Sequence, residues 1–138
     1  MKKALRIVLW VLIGLIALNF LVTGLRWAVD PSGAAEAFDM SLFSGAALST
    51  QIGDIGAFFI GMGLFVLLGL VTRKREWFLA CATLVFAAAL FRTLAWLFHG
   101  ASLMMQFIVP EIIIGTLLLI ASKKLTAENS QVPAQKPE

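Results

Sequence analysis

Four ionisable side chains lie inside the hydrophobic segments of this 138-residue chain, one in each segment: Arg26, Asp54, Arg92 and Glu111. A charged side chain at the centre of a bilayer costs about 3 kcal/mol or more, so such segments normally exclude charge. Two cations and two anions would neutralise one another if the four segments packed side by side. The pattern therefore predicts a neutralised polar site inside a small membrane bundle.

Arg92 and Glu111 lie deepest in their segments. Counting about 1.5 Å per residue from the segment ends places them about 8 Å and about 12 Å below the same membrane boundary. An arginine side chain can reach across that difference, so we expect the two to pair. Arg26 and Asp54 lie nearer the boundary and are predicted to extend the pair into a four-member network. The alternatives are that Arg26 extends to the headgroups, that Asp54 sits in the first turn of its helix, and that the pair only ties helices together.

Helical spacing adds further polar residues to this site. Asn19, Thr23 and Arg26 follow at i, i+4 and i+7, which places them on one helix face, and His99 shares the face of Arg92. Asn19 and Thr23 equally suit hydrogen bonds between helices, and His99 equally suits an interfacial turn. The predicted ligand-binding set is Arg92, Glu111, Asp54, Arg26, Asn19, Thr23 and His99.

The composition is that of a membrane protein. Hydrophobic residues make up 60% of the chain and charged residues 14%, whereas soluble domains average about 45–50% and about 25%. Four segments are long enough to span a bilayer, at about 7–27, 51–71, 77–98 and 103–122. The first is longer than a signal-peptide core and no small-x-small cleavage pattern follows it, so we interpret it as a span.

The predicted fold is all-α, an integral membrane four-helix bundle formed by residues 1–124. Asp30 and Pro31 predict a short interfacial helix in the first outer loop, because they suit a helix cap and first helical position. Ala57 and Gly61 predict a close helix contact, and Trp27 is expected in the outer aromatic belt. The polar, proline-containing segment 125–138 is predicted to be a disordered cytoplasmic tail.

Basic residues gather at alternate ends of the spans, in the clusters Lys2–Arg6, Arg73–Arg75 and Lys123–Lys124. This alternation follows the positive-inside rule, so we expect a membrane protein with both termini in the cytoplasm. The net charge of +3 thus reflects topology, and no nucleic-acid partner is predicted. The bilayer is the expected partner, and a homo-oligomer or a larger membrane complex stays open.

Several short motifs carry a resemblance to a known family. They are Ser49–Asp54 with Gly56, Phe58, Phe59, Gly61 and Gly63; Arg92–Trp96 with His99 and Gly100; and Pro110 with Glu111. Over roughly Leu5 to Ile120 the chain resembles a bacterial four-helix membrane family known as domain of unknown function 4345, which is similar in outline to DoxX-like membrane proteins. The resemblance implies a four-span inner-membrane protein and no particular activity.

The leading functional prediction is a non-enzymatic membrane protein that binds a small molecule or lipid headgroup in an outward-facing polar pocket. In that prediction Arg92 pairs with an anionic group. The alternatives are an accessory subunit of a membrane complex and a small proton-coupled transporter. Catalysis is the least favoured, because the chain has no metal-ligand cluster, nucleotide loop or nucleophile–base motif, and Cys81 is its only cysteine. No cofactor or metal is predicted.

Overall fold

The computed structural model describes residues 2–126, and this part of the chain is helical throughout, apart from short connections. Four long helices, α1 (Lys2–Val29), α3 (Gly45–Thr72), α4 (Arg75–His99) and α5 (Met105–Lys124), are joined by the short α2 (Pro31–Ala37) and by tight turns. The all-α prediction and its four spans are confirmed. The largest difference is at α3, which begins six residues before the predicted Gln51.

The four long helices form an up-and-down bundle. Helix α1 packs along α3 and α4 packs along α5, while contacts of α3 with α4 and of α1 with α5 connect the two pairs. The core runs along the axis and includes the fully buried side chains of Ile13, Val66, Phe78 and Leu118. Cys81 is also buried there, where it packs as a small apolar residue.

Glycines set how closely the helices of each pair approach. A Cβ atom at Gly24 of α1 would lie 2.8 Å from the backbone nitrogen of Ile60 and 2.9 Å from the carbonyl oxygen of Gly56 in α3. A Cβ atom at Gly115 of α5 would lie 2.6 Å from the ring of Phe86 in α4. The predicted contact at Gly61 is wrong, because a Cβ atom there would meet nothing within 4 Å.

The outward surface of the bundle is apolar. All four long helices are long and hydrophobic enough to cross a membrane, and they leave large side chains such as Leu18, Leu90, Phe91 and Ile113 exposed. In water, an exposed apolar surface of this extent would cause association. The chain is therefore a membrane protein, and the bilayer is the natural surrounding of these side chains.

Helix α2 folds over one end of the bundle, and we call this the α2 end. Asp30 caps α2 by accepting a hydrogen bond from the backbone N–H of Gly33 at 3.0 Å, and Pro31 takes the first helical position, as predicted. Trp27 is fully buried against Ala34, Ala35 and neighbouring apolar groups. The prediction that Trp27 lies in the aromatic belt is wrong, because α2 covers its side chain and separates it from the membrane–water interface.

The opposite end carries the basic clusters, and we call it the basic end. Arg73 ends α3 in a left-handed conformation, with φ of 54°. Leu125, the first residue of the predicted tail, is instead buried in the core, and Thr126 donates a hydrogen bond to the carbonyl oxygen of Ser122. The rest of the predicted tail, 127–138, lies outside the described residues.

The close approach of α1 to α3 predicts that Gly24→Ala lowers the free energy of unfolding by about 1–3 kcal/mol, as overpacking in tight cores does. The backbone of α3 would have to move, since no flexible side chain could absorb the whole clash. The measurement is reversible unfolding in mixed micelles. The control is Gly14→Ala on the same helix, where a Cβ atom meets nothing within 4 Å. Equal effects at both positions would contradict the prediction.

Candidate functional site

The predicted pairing of the two deepest charges is present. The Nε–H of Arg92 on α4 donates a hydrogen bond to Oε1 of Glu111 on α5 at 2.9 Å, in an ion pair that connects the two helices. Their side chains are 31% and 17% exposed. Gly115, one turn beyond Glu111, lets α5 approach α4 at Phe86 and so brings the carboxylate within reach of the guanidinium.

The guanidinium of Arg92 is also held by an aromatic stack. Its Cζ atom lies 4.9 Å from the centroid of the Phe107 ring, which is within the range of a cation–π contact. The other partner of Phe107 is Phe38, with ring centroids 5.4 Å apart and planes 8° from parallel. Phe38 ends α2, so the stack links the covering helix directly to the ion pair.

The ion pair lies on the wall of a cavity of about 360 Å³. Helices α3, α4 and α5 form most of its wall, with Phe20 from α1. The wall is largely apolar, and its charged residues are Asp54, Arg92 and Glu111. Its apolar side chains include Phe38, Met40, Ile55, Phe58, Phe59, Met62, Val85 and Ile114.

The cavity contains more acidic than basic charge. Two carboxylates, Asp54 and Glu111, accompany the single guanidinium of Arg92. Asp54 has an exposed side chain and makes no hydrogen bond or ion pair within residues 2–126. Oε2 of Glu111 is buried and has no hydrogen-bond partner there. The cavity therefore presents unsatisfied acceptors beside an already paired cation.

The position of Asp54 excludes one of its simpler interpretations. Because α3 begins at Gly45, Asp54 lies about 13 Å along the helix, at about 1.5 Å per residue. The effect of the helix dipole is confined to the first turn. Asp54 is therefore not a first-turn anion, and its place on the cavity wall is what distinguishes it.

The segment that follows α2 closes the cavity at the α2 end. The side-chain amide of Gln51 donates to the carbonyl oxygen of Ser41 at 3.1 Å, and its oxygen accepts from the backbone N–H of Phe43 at 3.0 Å. The amide of Gln106 donates to Oδ2 of Asp39 at 3.0 Å. These contacts fix the segment against α3 and α5. Sequence reasoning missed both glutamines, because their partners lie on the segment after α2 and are adjacent only in the folded chain.

The remaining predicted site residues lie elsewhere. Arg26 near the end of α1 pairs with Asp30, the cap of α2, with Nε and Oδ2 3.6 Å apart and both side chains exposed, so the predicted four-member network does not form. Asn19 lines a separate shallow groove between α1 and α5. His99 is exposed at the end of α4, and Thr23 is half-buried on α1. The structure thus brings together three of the seven predicted residues.

Residues 2–126 contain no group of three or more His, Cys, Asp or Glu side chains that could hold a metal ion. Comparison of the chain with protein-family models, curated proteins and solved structures gives no match. The geometry of the cavity therefore carries the functional argument.

The ion pair predicts a positive coupling energy in a double-mutant cycle. Arg92→Met alone leaves the carboxylate of Glu111 without its donor and should lower the free energy of unfolding by about 2 kcal/mol, because both groups are largely withdrawn from water. The double variant Arg92→Met/Glu111→Leu should lose less than the sum of the two single changes. Unfolding in mixed micelles gives all four free energies.

The matched control is the exposed pair of Arg26 and Asp30, tested with Arg26→Met and Asp30→Asn; the asparagine keeps a side chain that can cap α2. These side chains are 49% and 55% exposed, and exposed pairs couple by about 0–1 kcal/mol. A coupling energy for Arg92 and Glu111 no larger than that of the control pair would contradict the prediction.

Proposed function

We propose that this membrane protein binds a small amphiphilic molecule in the cavity at the α2 end. The observation that carries the proposal is the carboxylate of Asp54, which has no partner within residues 2–126, on the wall of a largely apolar cavity that it shares with the ion pair of Arg92 and Glu111. A carboxylate in this position has acceptor oxygens available for a cation or a hydrogen-bond donor of a ligand. A ligand with an apolar body and one polar group satisfies both parts of the wall.

The charge of the cavity favours a cationic or donor group on that ligand. Sequence reasoning assigned an anion to Arg92, but the carboxylate of Glu111 already balances its charge and its Cζ atom lies over the Phe107 ring. Asp54 has no such partner. A positively charged group near Asp54 would balance the two carboxylates against two cations. The apolar body would lie against Phe58, Phe59 and their neighbours, where aromatic rings offer both burial and cation–π contacts.

The dimensions support a small ligand. Ligand cavities in proteins commonly measure about 300–1,000 Å³ and combine apolar walls with a few placed polar groups. The cavity of about 360 Å³ falls at the lower end of that range. The same placement argues against an accessory subunit that uses its charges to bind a partner helix, because Arg92 and Glu111 line a cavity between the helices of this chain and pair with each other.

Proton-coupled transport is a second candidate, and a specific observation favours it. Glu111 is a membrane-embedded acid with one oxygen engaged by Arg92 and the other buried without a partner. Ionisable groups inside membrane segments commonly serve proton or ion pathways. In this candidate Glu111 exchanges a proton as the cationic ligand arrives beside Asp54.

The orientation and family are part of the same proposal. The basic clusters support cytoplasmic termini, with the cavity in the outer half of the bundle, and the resemblance supports a bacterial inner membrane. The short motifs around Asp54, Arg92 and Glu111 support membership of the family known as domain of unknown function 4345. The three charged cavity residues all lie within those motifs, which suits a shared binding site.

The charge preference is tested with three probes of similar shape: benzyltrimethylammonium, benzyl alcohol and benzoate. Binding is measured calorimetrically to protein in neutral lipid nanodiscs. We expect the cation to bind more tightly than the other two, and Asp54→Asn to weaken it about tenfold, since a charge–charge contact is lost. Glu76→Gln, an acid at the basic end, is the control. Tighter binding of benzoate, or no effect of Asp54→Asn, would contradict the proposal.

Transport is tested separately in proteoliposomes with a pH-sensitive dye trapped inside them. If the second candidate is correct, a gradient of benzyltrimethylammonium drives proton movement, and Glu111→Gln abolishes that movement while binding persists. Retained proton movement in the Glu111→Gln protein, with unchanged folding, would exclude Glu111 as the coupling group. Binding without any proton movement in the unaltered protein would leave binding as the function.

A further inference from the structure

A second cavity, of about 330 Å³, lies at the basic end between the start of α1 and the end of α3. Three cationic side chains line it: Lys3 and Arg6 from α1, and Arg73 from α3. Its apolar wall includes Trp10, Leu70 and Leu125. The cavity is thus basic at its opening and apolar along its depth.

The charge of this cavity is one-sided. The first turn of α1 contains no acidic residue, although the positive end of a helix favours anions there. The side chains of Lys3 and Arg6 therefore add charge of the same sign as the helix end. Arg73 adds a third cation from α3. The described lining of the cavity thus contains three cations and no carboxylate, a composition that favours an anionic group.

The shape of the cavity selects the kind of anion. A free inorganic anion would use the three cations but would leave the wall formed by Trp10, Leu70 and Leu125 uncovered. A phospholipid has a phosphate for the basic opening and acyl chains for the apolar wall. Basic pockets between membrane helices on the cytoplasmic side commonly bind anionic headgroups, and a tryptophan at this level suits the headgroup boundary.

We propose that the cavity at the basic end binds the phosphate of an anionic phospholipid, with Lys3, Arg6 and Arg73 around the headgroup and Trp10 beside the upper acyl chain. Arg6 and Arg73 each have further interactions in the protein, and the lipid phosphate adds to them. The site is at the other end of the bundle from the cavity of Asp54 and does not depend on its function.

The test compares lipid retention by native mass spectrometry after reconstitution with phosphatidylglycerol or phosphatidylcholine. We expect selective retention of one phosphatidylglycerol, and about a tenfold loss of its affinity in the triple variant Lys3→Gln/Arg6→Gln/Arg73→Gln. The control Lys123→Gln/Lys124→Gln removes two exposed charges from the same end. Equal losses in both variants would show a general surface charge effect and overturn the proposal.

The position of the lipid is tested by fluorescence quenching with phosphatidylglycerol brominated on its acyl chains. We expect stronger quenching by brominated phosphatidylglycerol than by brominated phosphatidylcholine, and we expect Trp10→Phe to remove that difference. A difference of the same size in Trp10→Phe would place the lipid beside another tryptophan and overturn the proposal. Glycerol 3-phosphate serves as a soluble competitor. If it displaces phosphatidylglycerol at comparable concentrations, the site binds a free phosphate anion and the lipid assignment is wrong.

Discussion

An ion pair between Arg92 and Glu111 in a bundle built for a bilayer imposes the main constraint on this structure. Each charge alone would be costly away from water, so each needs the other within hydrogen-bond distance. Their separation of 2.9 Å requires close packing of α4 on α5, which the absent side chain of Gly115 permits. The pair in turn places its guanidinium over Phe107. The ion pair thus fixes the packing of α4 on α5 and the position of the guanidinium over Phe107.

The position of α2 and of the segment after it depends on Phe107. Phe38 stacks on Phe107 and also packs near Trp27, with ring centroids 6.2 Å apart. One aromatic side chain therefore connects the buried tryptophan of α1 to the cation of α4. Gln51 and Gln106 add directional hydrogen bonds that hold the intervening backbone. The cavity lined by Asp54 remains open below this layer, because the rings of Phe38 and Phe107 stack on each other and do not fill it.

The two cavities differ in the charge that each end of the bundle offers. At the α2 end, carboxylates outnumber the guanidinium on the wall. At the basic end, three cations surround an apolar wall. An amphiphile of one sign suits the first cavity and an amphiphile of the opposite sign suits the second. The same helices thus carry cavities of opposite charge at their two ends, because α1 and α3 are 28 residues long and extend about 42 Å.

The sequence by itself determined the four helices, because a backbone in lipid must satisfy its hydrogen bonds within each segment. It also determined the meeting of Arg92 and Glu111, which lie at similar depth on helices joined by a short turn. Only the tertiary structure decided that Asp54 shares their cavity while Arg26 turns to Asp30, and that Trp27 is buried under α2. The physical reason is the rotation of each helix about its own axis. Contacts between helices, such as that of Gly24 with Gly56, decide which face points inward, and the sequence pattern of one segment does not include those contacts.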